Sequence, residues 1–228
     1  MTMKRLKIDN LLTYEPITKN QQIAYESWDE GDHLVLCGSA GTGKTFVGMY
    51  LALENVLDKQ YEQDKLVIVR SVVPTREMGY LPGSIEEKVD AYTAPYRAIA
   101  NELFNEKLAY DMLESQGAIS FMSTSFIRGQ TIDDAVILVD EMQNLTFHEL
   151  DSIITRVGRN TRIIFSGDYY QSDLNKETDK SGILHFMNIM EVMNNFTTVE
   201  FGWADIVRSD FVRDYIMTKE MIERGNIK

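Results

Sequence analysis

The chain has 228 residues, 44% hydrophobic and 25% charged, a composition that fits a folded globular chain and excludes a disordered one. Its 23 basic and 35 acidic side chains give a net charge of −12, which disfavours undirected binding to nucleic acid or anionic membrane but leaves room for a local basic groove. The one cysteine, Cys37, excludes an internal disulfide framework and a multi-cysteine metal site, and points to a reducing, cytoplasmic setting.

The N-terminal MTMKRLKIDN is charged and has no apolar stretch, so no signal peptide is expected. No run nears the ~18 apolar residues of a membrane span, so no membrane partner is expected. Residues 1–17 read as an arm or short strand, and residues 18–228 as one domain. Thr18 can cap a helix that sets Ile23, Ala24 and Trp28 on one face. HLVLCG is a buried strand, and Lys44 to about Leu57 is a helix. LVIVR, Leu66 to Arg70, is a second strand. Residues 71–84 form a loop and 85–115 helical pieces, in a region holding Pro74, Pro82 and Pro95.

Ile119 to Met122 is a short strand, and VILVD, Val136 to Asp140, is a continuous apolar one. Thr146 with Glu149 has capping-box spacing and opens a helix. RIIFS is another strand, GILHFMNIMEVMNN a helix and TVEF an edge strand, and Ser209 caps a final helix. Strands alternating with helices predict an α/β fold with a mostly parallel sheet and helices on both faces.

Gly38-Ser39-Ala40-Gly41-Thr42-Gly43-Lys44-Thr45 matches G-x-x-x-x-G-K-[ST] between a predicted strand and a predicted helix. Glycines let the backbone curl so that successive N–H groups ring a phosphate, and the helix N-terminus adds partial positive charge. Lys44 would reach the β- and γ-phosphates of a nucleotide, and Thr45 would ligate Mg²⁺. Asp140 and Glu141 sit at the C-terminal end of an apolar strand, the edge where open α/β sheets bind ligands. There Asp140 suits a Mg²⁺-linked carboxylate and Glu141 a general base for water. After RIIF, Asp168 could position the water shell, and Gln171 could reach the γ-phosphate or the attacking water. His33, His148 and His185 are not at ligand spacing, so no zinc is expected.

The three blocks GxxxxGKT, DE and GDxxQ resemble the motif set of superfamily 1 helicases. The segments VRSVVPTREMGYLPGSIEEKVD, SFIRGQTIDDAVILVDEMQN and SGDYYQSDLNKETDKSGILHF are more specific. They are similar to the PhoH family, and most to its phage-encoded members, from about Thr18 to Tyr215. This resemblance implies a single RecA-like P-loop NTPase domain that binds ATP with Mg²⁺ and hydrolyses it, in a group associated with phosphate starvation. It implies a homo-oligomer, with hexameric rings in some members, acting on single-stranded RNA or DNA, RNA favoured, with a nuclease as a candidate partner.

Within the resemblance, Gln21 in TKNQQ looks like an adenine-reading glutamine, with Gln22 as the alternative. Arg70 matches the family's arginine at the end of the second strand, and Arg128 and Gly129 its RGxT. Ser71 and Met142 depart from the bacterial pattern, away from the ATP chemistry. Superfamily 1 helicases build the ATP site between two RecA-like domains, and 228 residues hold one. A ring would let a neighbour complete the site, with Arg208 as the arginine supplied in trans. Tyr80, Tyr92 and Tyr96 read either as base-stacking platforms or as core or interface residues. The −12 charge supports a second reading, a slow nucleotide-binding regulatory module without a nucleic-acid substrate.

Overall fold

Runs such as VILV have apolar side chains on both strand faces, so both faces must be covered. The computed structural model describes residues 5–71, 85–127, 129–168 and 177–223. Six strands form one sheet: β1 (His33–Gly38), β2 (Lys65–Arg70), β3 (Ile119–Ser123), β4 (Ala135–Val139), β5 (Arg162–Gly167) and β6 (Phe196–Phe201). Their order is β3-β2-β4-β5-β1-β6, and every pairing is parallel. Before, between and after them run α1 (Lys19–Asp29), α2 (Lys44–Leu57), α3 (Ile85–Phe104), α4 (Ala109–Ser115), α5 (Phe147–Ile154), α6 (Glu177–Val192) and α7 (Asp210–Glu223).

The two-residue period of the strands divides the core. Leu34, Leu36, Leu66, Ile68, Leu138 and Ile164 pack on one face with residues of α1, α2, α3 and α4. Val35, Cys37, Val67, Val69, Ile137 and Phe165 pack on the other with residues of α5 and α6. Cys37 is buried beside the phosphate-loop strand end, and burial pushes its thiol up to about 12.

Local chemistry explains the helix starts. The Thr18 hydroxyl accepts from Gln21 N at 3.3 Å and caps α1. At α5 the capping box closes in both directions, Glu149 N to Thr146 Oγ1 at 3.3 Å and Thr146 N to Glu149 Oε2 at 2.9 Å. Pro95 lies inside α3 without ending it, although the proline cluster predicts broken helix.

In the N-terminal stretch, residues 5–18 contain no strand. They hold a 3-10 turn at Ile8–Asn10 and run along α3 and α4. Leu6 is buried, Gln116 brackets its backbone at 3.1 and 3.2 Å, and Leu12 N donates to Leu103 O at 2.9 Å. No helix of the described residues is long and apolar enough to cross a membrane.

Phe165 has no exposed surface and meets Phe186 edge-on, with ring centroids 5.0 Å apart. Phe165→Ala is expected to lower the unfolding free energy by about 3–5 kcal/mol in urea titrations, with an unchanged m value.

Candidate active site

β1 runs into a glycine-rich turn that opens α2. Gly38, Gly41 and Gly43 have φ of 112°, 73° and 83°, the left-handed region open to glycine. Gly38 also has no room for a side chain, because a Cβ there would lie 2.1 Å from Phe201 O. The turn opens α2 with no side-chain cap at Gly43, which leaves its electropositive N-terminus to other acceptors. Lys44 is buried, and its Nζ donates to Gly38 O at 2.9 Å, Ser39 O at 2.7 Å and Thr42 Oγ1 at 3.4 Å. Burial lowers the Lys44 pKa, against the pull of Asp168 and smaller pulls from Cys37, Glu141 and Asp140.

β5 separates β1 from β4, so the ends of these three strands share one edge. Asp140, one residue past β4, is buried and accepts from two directions. Thr45 Oγ1 donates to its Oδ1 at 2.9 Å, and Tyr96 Oη donates to its Oδ2 at 2.9 Å. Thr45 and Asp140 thus bring together hard oxygen donors of the kind Mg²⁺ takes. Burial, then the Asp140 charge, raises the Tyr96 pKa. At Arg70, burial opposes the charge, but Tyr96, Glu141 and Asp140 outweigh it and the pKa is raised. Tyr96 has no exposed surface and Tyr92 only 8%. Neither can stack on a base, so both belong to the core alternative. Tyr80 lies outside the described residues.

Glu141 follows with φ 52° and ψ 44°, a left-handed backbone that costs a non-glycine residue of order 1 kcal/mol or more. Such strain persists where the surroundings hold it, and it turns the residue into the 3-10 turn Met142–Asn144. Gln143 Nε2 donates to Glu141 Oε2, and Gln143 Oε1 accepts from Asp168 N at 3.0 Å. This buried amide joins the ends of β4 and β5. Gly167 makes the approach feasible, since a Cβ there would lie 2.2 Å from Gln143 Oε1. The sequence reading passed over Gln143; its signal is an amide two residues after Glu141, at a strand end that already carries two acids. Gln171 and Arg128 lie outside the described residues.

Gln21 is buried beside the loop, its Nε2 donating to Thr42 O at 3.3 Å and its Oε1 accepting from Ile17 N at 3.0 Å. Gln22 instead pairs with Glu26 at 2.8 Å on the exposed side of α1. Of the two glutamines, only Gln21 lines the cavity.

Arg208 stands beside the same loop. It lies against its own chain's loop, its Cγ 3.0 Å from where a Gly41 Cβ would stand, and it lines the same cavity as Lys44. The cavity, about 810 Å³, is bordered by Gln21, Lys44, Asp140, Glu141, Asp168 and Arg208 among others. It is of the size that holds a small-molecule ligand.

A glycine-rich loop between β1 and α2, with β5 set between it and the acid-ended β4, defines a RecA-like P-loop NTPase fold. The chain belongs to the PhoH family, whose profile, described as PhoH-like protein, matches residues 13–220. It is 31% identical over 216 residues to a PhoH-like protein of Mycobacterium leprae, covering 92% of this chain and 61% of that one. A PhoH-like protein of Synechocystis sp. is 34% identical over 188 residues, covering 82% and 56%. The chain therefore spans less than two thirds of the length of these relatives. In fold it is similar to the HK97 bacteriophage large terminase, with a TM-score of 0.54 at 12% identity over 95% of this chain and 48% of that one.

Tyr96→Phe keeps the ring and removes the bond to buried Asp140 Oδ2. It is expected to cost about 1–3 kcal/mol of folding stability in denaturant titrations, because the acceptor stays buried. Tyr92→Phe touches no such acceptor among the described hydrogen bonds and serves as the comparison.

Proposed function

We propose that the protein binds ATP together with Mg²⁺ and hydrolyses it. The observation that carries this reading is the convergence of Lys44, Thr45, Asp140 and Glu141 on one cavity beside the loop amides. Amides of the loop and of the first turn of α2 bind the phosphates. Lys44 exchanges the carbonyls of Gly38 and Ser39 for phosphate oxygens, so its charge is already stored at the point of use. Thr45 and Asp140 would hold Mg²⁺, which when bound neutralises charge developing on the phosphates.

Glu141 takes the proton of the attacking water at its carboxylate, in the role of general base. Gln143 orients that carboxylate and registers it against Asp168, which positions the water shell. Gln171, just beyond, is proposed to contact the γ-phosphate or the water. Gln21 meets the base, and Arg208 supports the phosphates from within the same chain.

The superfamily 1 motif set supports coupling of hydrolysis to remodelling of single-stranded nucleic acid, RNA favoured. The net charge of −12 supports the other reading, a slow regulatory ATPase without that substrate. Turnover measured with and without single-stranded RNA and DNA decides between them, since stimulation belongs to the first reading alone.

Lys44→Ala is expected to abolish phosphate release and weaken ATP binding. Unchanged turnover in the purified variant would overturn the site. Glu141→Gln keeps the shape and removes the base, so ATP affinity should hold while turnover falls by about 10²–10⁴. Loss of binding along with turnover would make Glu141 a structural residue.

A further inference from the structure

The loop has a second anchor that its motif does not require. Ser39 occupies an unspecified position of G-x-x-x-x-G-K-[ST], yet its hydroxyl donates to Glu220 Oε2 at 3.0 Å. Glu220 lies near the end of α7 and is the buried residue of that helix, 3% exposed. A carboxylate there costs free energy unless donors meet it. The same Oε2 also accepts from Trp203 Nε1 at 2.7 Å.

Other contacts tie this part of the chain to the loop. Ser39 N donates to Phe201 O at 2.9 Å, and Val207 N donates to Gly41 O at 3.0 Å. A Cβ on Gly41 would lie 3.1 Å from Ile216 Cδ1, so α7 rests against the loop backbone. The Ser39 residue gripped by Glu220 also presents the carbonyl that accepts from Lys44 at 2.7 Å and from Thr42 Oγ1 at 3.0 Å. A continuous path therefore runs from α7 through Glu220 and Ser39 to the cation of the loop.

We propose that Glu220 is a positioning residue for the phosphate loop, through which nucleotide binding and the docking of α7 are coupled. The proposal rests on the nucleotide reading of the site. When Lys44 leaves the carbonyl of Ser39 for a phosphate, the loop re-forms its hydrogen bonds, and the Ser39–Glu220–Trp203 contacts carry that change into α7. Coupling is reciprocal: whatever steadies α7 strengthens nucleotide binding by the factor by which nucleotide steadies α7.

The test is amide hydrogen exchange of α7 in the full chain, with and without ADP and Mg²⁺, alongside ADP affinity by calorimetry. In the wild type, ADP is expected to slow exchange in α7 by a factor within the ~5–150-fold range of measured couplings. Ser39→Ala and Glu220→Leu should still bind ADP, more weakly, while α7 exchange no longer responds to it. Glu220→Gln retains an acceptor oxygen and should restore the response. Ser39→Ala keeps the test open if Glu220→Leu does not fold, as judged by circular dichroism. Wild-type binding without a change in α7, or an undiminished response in Ser39→Ala, overturns the coupling alone. Absence of ADP binding to the wild-type chain overturns the nucleotide reading and the coupling together.

Discussion

The carboxylate of Asp140 is gripped from both sides, and the site is arranged around that grip. Thr45 holds one oxygen from the start of α2, and Tyr96 holds the other from the middle of α3. A buried carboxylate with only one oxygen bonded could rotate and would carry a desolvation cost. With both bonded it has one orientation, and it locks β4, α2 and α3 together. Because the phosphate loop leads directly into α2, fixing Thr45 also fixes where the loop ends. Arg70, at the end of β2, completes the cluster from the next strand.

Sheet order does the rest. A strand between β1 and β4 leaves a gap of one strand width between the loop and the acid pair. β5 fills it with Ser166 and Gly167, Asp168 follows one residue on, and the smallness of Gly167 admits Gln143. The glutamine then ties the Glu141 carboxylate to the backbone amide of Asp168. The strain at Glu141 belongs to the same arrangement, because the residue leads into the turn Met142–Asn144 that carries Gln143. The opposite faces of the sheet hold separate apolar clusters, so this polar edge is supported by rigid packing on both sides.

Much of the architecture was legible in the chain because its signals are local. VILVD and HLVLCG are apolar along their whole length, as strands covered on both faces must be. The Thr18 and Thr146 caps and the phosphate loop need only a few consecutive residues. What escaped depends on contacts far apart in sequence. Tyr96 meets Asp140 across 44 positions, and Glu220 meets Ser39 across 181. Nothing in APYRA distinguishes a tyrosine that stacks on a base from one that donates to a buried acid. Arg208 lines the cavity of its own chain, and sequence does not say which copy's loop an arginine faces. The N-terminal stretch lacks periodicity because its backbone bonds go to Gln116 and Leu103 rather than to a strand neighbour.

Cys37 stands one residue before the phosphate loop, sealed in the core with its thiol pushed up to about 12. Alkylating agents and oxidants must reach the sulfur, and the folded core leaves the residue 1% exposed. The chain's one native thiol is therefore shielded while the chain is folded, although it adjoins the candidate site. A cysteine introduced on the surface would be the single site taken by maleimide dyes or spin labels, with no native residue to remove first.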